Sequence, residues 1–307
     1  MERRELEYFL AIAEHGSFTA AAQAMRVAQP SLSHAIGSME SRLGGKLFHR
    51  LPQGVVLTSA GQALMEPARR VMRDLSTASD SVREVLGLAG GRLDIVAQTT
   101  LAVDPLAELV GSYLREHPKV AVRISDPELG SDVTAAVRAG ERELGMVESA
   151  ELVAGDLDGI VLRAREIFAV LPPDTPTSRA RLGSAELAAL DWVTTPKGTA
   201  TREVIEDAVG RRSKATDQGL AGAGEITPTV AVETAHQAMI VPLVLAGAGA
   251  TLLPRSMAED AAERGAVVLA LRPKVVRRGV LFWRPGPLSP AAAEFVRLAR
   301  SVSEQRR

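Results

Sequence analysis

The chain has 307 residues, with 36 Lys and Arg against 37 Asp and Glu and a formal net charge of −1. That length supports two or three domains around a sizeable core. It contains no cysteine, which excludes disulfides, cysteine-ligated zinc, iron–sulfur clusters and thiol redox sensing. The first residues, MERRELEYFL, offer no apolar core and no small-residue cleavage site, so no signal peptide is expected. The most apolar stretch, Ala238 to Pro254, is interrupted by Pro242, Gly247 and Gly249 and is too short to span a bilayer. A soluble, cytoplasmic protein with no membrane partner is the expectation.

Residues 3–14 read as a first helix with Leu6, Phe9, Leu10 and Ala13 on its inner face. Two short helices follow within residues 17–43. Phe18, Ala21, Ala22 and Met25 recur at helical spacing until Arg26-Val27-Ala28 interrupts them, and Gln29-Pro30-Ser31 restarts the pattern with proline in the first turn. Leu32, Ile36, Met39 and Leu43 then share one face, opposite Pro30, His34, Gly37, Ser38 and Ser41. A face without large apolar residues can lie against the major groove of DNA. The spacing alone fits an ordinary amphipathic pair in a core equally well.

The flanking residues separate the two readings. Leu6-Glu7-Tyr8-Phe9 and His15-Gly16-Ser17-Phe18 precede the pair, and Leu43-Gly44-Gly45-Lys46-Leu47-Phe48-His49-Arg50 and Leu57-Thr58-Ser59-Ala60-Gly61 follow it. Together they resemble the winged helix-turn-helix of LysR-type transcriptional regulators, without a gap from Leu6 to Gly61. The resemblance implies double-stranded DNA as a partner. Gln29, Pro30, Ser31, Ser33 and His34 become candidates for base edges and nearby phosphates, and Arg42, Lys46 and Arg50 for the DNA backbone. Leu51 to Leu57 reads as a hairpin wing with Pro52 and Gly54 as turn residues. Gln53 at its tip is a candidate DNA contact or a plain solvated turn residue. Residues 1–60 hold six cations and five carboxylates, which is no basic patch by count. Many family members carry Arg or Lys where this chain has Gly37-Ser38, and modest non-specific affinity follows. The missing cysteines set the chain apart from peroxide-sensing members.

Thr58 caps a long helix in which Leu64, Ala68, Val71, Leu75, Ala78, Val82 and Val85 alternate steps of four and three. That is a heptad seam, expected to pair two subunits as a coiled coil over residues 59–90. Pro67 should kink it, and Gly87-Leu88-Ala89-Gly90-Gly91 should end it as a hinge. The family resemblance extends self-association from a dimer to a homotetramer, with effector binding changing how DNA is bent.

Beyond the hinge, strands and helices alternate as in an α/β domain. Strands are expected over 93–97, 120–125, 144–147, 161–171, 192–194, 229–232, 251–254, 267–271 and 275–283. Helices are expected over 101–116, 131–139, 185–190, 201–209, 235–245 and 290–303, with 211–225 as a loop. Gly91-Arg92-Leu93-Asp94-Ile95, the run Tyr113 to Val120 and the run Val244 to Pro254 resemble the family's effector domain. That domain has the two-lobed fold of class II periplasmic binding proteins. The implied organisation is a multidomain α+β and α/β chain: a winged helix-turn-helix over 1–58, the linker over 59–90 and an effector domain over 91–307. Lobe I would be 92–162 plus 268–303, and lobe II 163–267.

In such a cleft a ligand meets loops at strand ends and the free N–H groups of helix N-termini, which favour an anion. Three hydroxyl-rich loops fit: Thr99-Thr100, the run Thr194 to Arg202 and Glu233-Thr234-Ala235-His236. Their effector candidates are Thr99, Thr100, Thr195, Lys197, Thr199, Thr201, Arg202, Thr234 and His236. Each threonine taken singly also serves as a plain helix cap, and Arg202 reads equally as a surface residue. No GxxxxGK[ST], HExxH or GxSxG occurs, and Gly247-Ala248-Gly249 lies between helix and strand, the reverse of a dinucleotide loop. His15, His34 and His49 fall in the DNA-binding part, His117 in a helix-to-strand loop, and a lone His236 is no acid–base pair. Neither enzyme activity nor a metal or cofactor is expected. A solute-binding protein and an enzyme on the same two-lobed fold are the rival readings.

Overall fold

The structure is a computed structural model that describes all residues except 53, 86–90, 128, 149–152, 154, 178–179, 217–226 and 305–307. The chain divides into two compact units, the first made of Met1–Gly91 with the short stretches Arg138–Glu141 and Leu288–Pro290, the second of the remaining residues.

The first unit contains α1 (Arg3–His15), α2 (Phe18–Ala24), α3 (Gln29–Leu43), β1 (Phe48–Leu51), β2 (Gly54–Leu57) and α4 (Ser59–Val85). Between α2 and α3 the chain turns sharply at Arg26, which adopts the left-handed conformation (φ 54°). Leu32, Ile36 and Met39 of α3 are buried with Leu6, Phe9 and Ile12 of α1 and Phe18, Ala21 and Ala22 of α2. Leu43, expected on the same face, is exposed because it sits at the end of the helix beyond this core. Phe48 closes the cluster, its ring 5.3 Å from Phe9 and 5.8 Å from Phe18. Each such fully buried aromatic ring contributes roughly 1.5–3 kcal/mol of transfer free energy.

The wing is an antiparallel pair with Leu51 opposite Gly54, and its first strand starts at Phe48, ahead of the expected hairpin from Leu51. Gly54 has φ 143°, and a Cβ there would lie 2.8 Å from the Gly16 carbonyl. The neighbouring Val55 N–H donates to that carbonyl at 2.8 Å. Only glycine lets the wing approach the α1–α2 turn this closely. Thr58 caps α4 as expected: its hydroxyl accepts from Gly61 N–H at 3.0 Å and donates to the Lys46 carbonyl at 2.6 Å.

The heptad of α4 divides in two. Ala68 is buried and Leu64 half-buried in the core of the winged domain, with Met65 and Met72. Their place in the expected seam is therefore corrected, since the first turns of α4 pack back on their own domain. Val71, Leu75, Ala78 and Val82 remain exposed, at 44%, 40% and 59% for the two valines and the leucine in the order Val71, Leu75, Val82. Pro67 lies inside a helix assigned without a break. The side chain of Val85 and residues 87–90 of the expected hinge lie outside the described residues.

In the second unit β3 (Arg92–Ala97), β4 (Ala121–Ser125), β5 (Leu144–Val147), β6 (Asp158–Leu171), β7 (Arg181–Gly183), β11 (Val267–Arg272) and β12 (Val276–Trp283) run in the order β4-β3-β5-β12-β6-β11-β7. The long strand β6 joins the lobes. Its first half pairs with β12, and residues 167–171 pair with β11 and with β10 (Thr251–Pro254). A parallel pair, β8 (Asp191–Thr194) and β9 (Thr229–Glu233), meets β10 through a bridge between Trp192 and Ala250. β11 thus belongs with the strands of lobe II, not with lobe I as its expected place from residue 268 implied. The chain re-enters lobe I only in β12.

Helices cover these sheets: α5 (Thr99–Leu101), α6 (Ala107–Glu116), α7 (Gly130–Arg138), α8 (Ser184–Ala188), α9 (Ala200–Thr216), α10 (Ile240–Leu245), α11 (Arg255–Glu263) and α12 (Pro290–Glu304). The single helix expected over 101–116 is broken at Asp104, whose backbone is extended ahead of Pro105. The helix expected over 235–245 starts only at Ile240, after a 3₁₀ turn at Gln237–Met239. Helix α9 continues through residues 211–216, which were read as loop. Helix α11 falls outside every expected element. Lobe I packs Val96, Val133, Val137, Val147, Val280 and Phe282 together. Lobe II is centred on Trp192, Ile205 and Val209, with Leu252 and Leu271 from its sheet. Among the described residues no helix is long and apolar enough to cross a membrane.

Candidate DNA interface and effector pocket

At the start of α3, Pro30, Ser31 and His34 are exposed, while Gln29 and Ser33 are half-buried. The Gln29 amide donates to Ser33 Oγ at 2.8 Å, so in the free protein these two polar groups satisfy each other. Arg42 and Lys46, expected to face phosphates, are each held by a carboxylate. Arg42 donates to Glu5 at 2.5 Å, and Lys46 donates to Glu40 at 2.7 Å. Both acids are buried. Glu5 also accepts from Glu2 N–H at 2.8 Å, and Glu40 from Leu47 N–H at 2.9 Å. The hydrogen bonds from Arg42 hold the Glu5 carboxyl below the ordinary carboxylate range, against burial, which pushes it up. Arg50 is exposed on β1, with its guanidinium 4.7 Å from the centre of the Phe18 ring. Gln53 lies outside the described residues. The anchoring acids had not been singled out, although Glu5 and Glu40 stand out in the sequence as charges among the core positions of two helices.

In the second unit a pocket is lined by Gln98, Thr99, Thr100, Thr195, Pro196, Thr199, Ala200, Thr201, Ala235 and Gln237, and its empty volume, open mouth included, is about 340 Å³. It brings together Thr99, Thr100, Thr195, Thr199 and Thr201 of the expected residues. Lys197 and His236 are exposed and do not line it, and neither does Thr234, whose hydroxyl accepts from His236 N–H at 3.1 Å. Arg202 is buried but turned to carboxylates, donating to Glu206 at 2.6 Å and Glu233 at 3.3 Å. Its reading as a free carboxylate fork is corrected, because its side chain is already satisfied within lobe II. Gln98 and Gln237 were missed. Both sit directly beside loops that were recognised, and a glutamine at a strand end gives no periodic signal.

The floor of the pocket on the lobe I side rests on a buried ion pair. Arg165 on β6 donates to Glu148, to the Thr100 carbonyl at 3.1 Å and to the Asp104 carbonyl at 2.7 Å. Thr100 Oγ1 donates to Glu148 at 2.8 Å, and the Glu148 N–H donates to Gln98 Oε1 at 2.8 Å. Among the described residues, the polar links between the lobes include Ser256 to Asp104 at 2.9 Å and Arg277 to Asp207 at 3.2 Å. On α9, burial pushes the Glu203 carboxyl up, opposed by the charge of Arg277. No group of three or more potential metal ligands occurs among the described residues. The pocket wall is uncharged and rich in hydroxyl and amide groups, suited to recognising a small polar molecule.

A winged helix-turn-helix with its second helix presented, and a two-lobed α/β domain with a polar pocket, together define a ligand-responsive DNA-binding regulator rather than an enzyme. The comparisons agree. The model of the bacterial regulatory helix-turn-helix protein, lysR family, matches residues 3–62, and that of the LysR substrate binding domain matches residues 87–304. The chain belongs to the LysR family of transcriptional regulators. It is 30% identical over 182 residues to the regulator TfdT of Cupriavidus pinatubonensis, covering 59% of this chain and 79% of that one. It is 26% identical over 298 residues to the transcriptional dual regulator GltC of Bacillus subtilis, covering 96% and 95%. Among solved structures, full-length CbnR in complex with its target DNA superposes with a TM-score of 0.67 at 22% identity, covering 98% of this chain and all of that one. A full-length OxyR variant from Pseudomonas aeruginosa gives 0.72 at 25% identity, covering 98% and 94%.

Proposed function

We propose that this regulator changes its grip on operator DNA when a small organic anion binds between the lobes of its effector domain. The observation that carries the reading is the meeting of α9 with the pocket. Pro196, Thr199, Ala200 and Thr201 at its N-terminus line the wall, and the first-turn N–H groups of a helix have no intrahelical acceptor. With the helix dipole they favour negative charge. Lys197, exposed, and Arg202, paired with Glu206 and Glu233, take no part. A pair of subunits joined along Val71, Leu75, Ala78 and Val82 of α4 would place two recognition helices on two half-sites, and further association would give the tetramer. Lobe closure on the anion shifts the balance between two arrangements only if the anion binds them with unequal affinity.

The test is a thermal-shift and calorimetric comparison of small organic acids with their uncharged amides on the full-length protein. Acids should bind and amides should not, and Thr201→Val should weaken the acids. Arg202→Ala should lower stability without selective loss of binding. Equal binding of acids and amides would remove the anion reading.

A further inference from the structure

The hydroxyl protons in this pocket are already committed. Thr99 Oγ1 donates to Asp126 at 2.6 Å, and Thr100 Oγ1 donates to Glu148 at 2.8 Å. Both partners are carboxylates, which only accept when ionised. Thr199 Oγ1 lies 2.6 Å from the Pro196 carbonyl, which cannot donate, so the Thr199 proton goes there. Thr195 Oγ1 is 2.5 Å from Thr199 Oγ1. One proton must lie between those oxygens, and it can only be that of Thr195. All four threonine protons are therefore engaged, and because Thr199 also accepts from Thr195, the hydroxyls left to offer lone pairs to the pocket are those of Thr99, Thr100 and Thr195. Those of Thr99 and Thr100 are strengthened as acceptors by the carboxylates they bond to.

Donors come from elsewhere. Gln98 is 4% exposed and lines the pocket, and its Oε1 is taken by Glu148 N–H. Its amide N–H₂ has no hydrogen bond among the described residues. Thr201 Oγ1 accepts from Gln237 at 3.2 Å, which leaves its own proton free to donate. The first-turn N–H groups of α9 complete the set. The wall thus has two characters: acceptors at Thr99, Thr100 and Thr195, and donors at Gln98, Thr201 and the start of α9. A plain carboxylate answers only the second. It would leave the first set facing it with lone pairs, and buried polar groups without partners are costly.

We infer that the effector is a small organic acid that also carries hydrogen-bond donors of its own, an ammonium or hydroxyl group close to the carboxylate. The inference rests on the anion reading of the same pocket and narrows it. The carboxylate meets α9, Gln98 and Thr201, and the donor group meets Thr99, Thr100 and Thr195.

The experiment titrates full-length protein with matched sets: donor-free carboxylic acids, their α-hydroxy and α-amino counterparts, and the uncharged amides of each. Hydroxy or amino acids should bind at least about tenfold more tightly than the donor-free parent, which is about 1.4 kcal/mol, the size of one well-made hydrogen bond. The set that binds identifies whether the donor is hydroxyl or ammonium. Thr195→Val should weaken the hydroxy or amino acids by a larger factor than it weakens the donor-free acids, which reduces the preference. Thr99→Val should do the same from the other lobe, at the loss of the bond to Asp126. If donor-free acids bind as tightly as their counterparts, the inference is overturned and the anion reading stands. If the uncharged amides bind as well as the acids, both are overturned.

Discussion

The two units treat charge differently. In the winged domain, Arg42 and Lys46 remain largely exposed over the buried acids Glu5 and Glu40, so a phosphate can compete for each cation from the solvent side. In the effector domain, Glu148 and Arg165 are both buried and serve each other and the pocket floor. No ligand can take either without leaving the other unpaired in a poorly solvated site. A DNA surface must meet a long polyanion whose charge dominates affinity, and its cations need to be reachable. A small-molecule pocket discriminates by hydrogen-bond direction, and its charges are used to hold neutral side chains in place. The same residue types therefore stand within reach of solvent in one unit and serve as scaffolding in the other.

The sharpest way to break this contrast is on α4, which belongs to neither pattern. Leu75→Glu should abolish the subunit pairing proposed above, because a charge there meets its twin across a dry seam. Sedimentation should show a monomer with a folded effector domain, and operator binding should be lost. A wild-type oligomer in that variant removes the seam. The next largest effect is expected from Glu148→Ala. Stranding Arg165 should destabilise the effector domain by about 3–5 kcal/mol, seen in denaturant unfolding, while the isolated melting of the winged domain stays in place.

On the DNA side the effects are smaller. Gln29→Ala should cost about 1–3 kcal/mol of discrimination among sequences, the size of a bidentate base contact. In the free protein it loses only the bond to Ser33. Binding to operator and scrambled DNA compared side by side measures it. Arg50→Ala should weaken all sequences alike and flatten the salt dependence by about one phosphate. Glu5→Gln should act in the opposite direction, releasing Arg42 and steepening the salt dependence by up to about one contact. The same variant tests the pH behaviour of the domain. Because the Glu5 pKa is depressed in the fold, its stabilisation is present above the ordinary carboxylate pKa of about 4.3. It is lost as pH falls through the lowered folded value. Parent and variant should therefore differ in stability at neutral pH and converge in acid.

How far each unit was legible follows from the range of its contacts. The winged domain is built from helices whose faces repeat every three or four residues, and its buried positions Leu32, Ile36 and Met39 could be read directly. The threonines of the pocket were legible as a class, because loops at strand ends collect hydroxyls. Which of them meet was not, since Thr100 and Thr195 come from different lobes far apart in sequence. Helix α11 escaped notice because its core side is made of Ala258 and Ala261, and alanines carry little periodic contrast.

Local pattern, proline and glycine punctuation and the run from Leu6 to Gly61 by themselves determined that this chain holds a DNA-binding module, a long amphipathic helix and an α/β domain. They also determined the order of those parts, because periodicity and turn chemistry act over a few residues. Only the tertiary structure decided that Arg42, Lys46 and Arg202 are already paired, that Leu64 and Ala68 serve the winged core, and that four pocket hydroxyls already donate to partners within the protein. Some of these bonds are short in sequence, as from Lys46 to Glu40, but others join residues from 27 to 48 positions apart, or link hydroxyls whose proton direction depends on a third group. No spacing rule along the chain encodes which partner a polar group will meet once the backbone has folded.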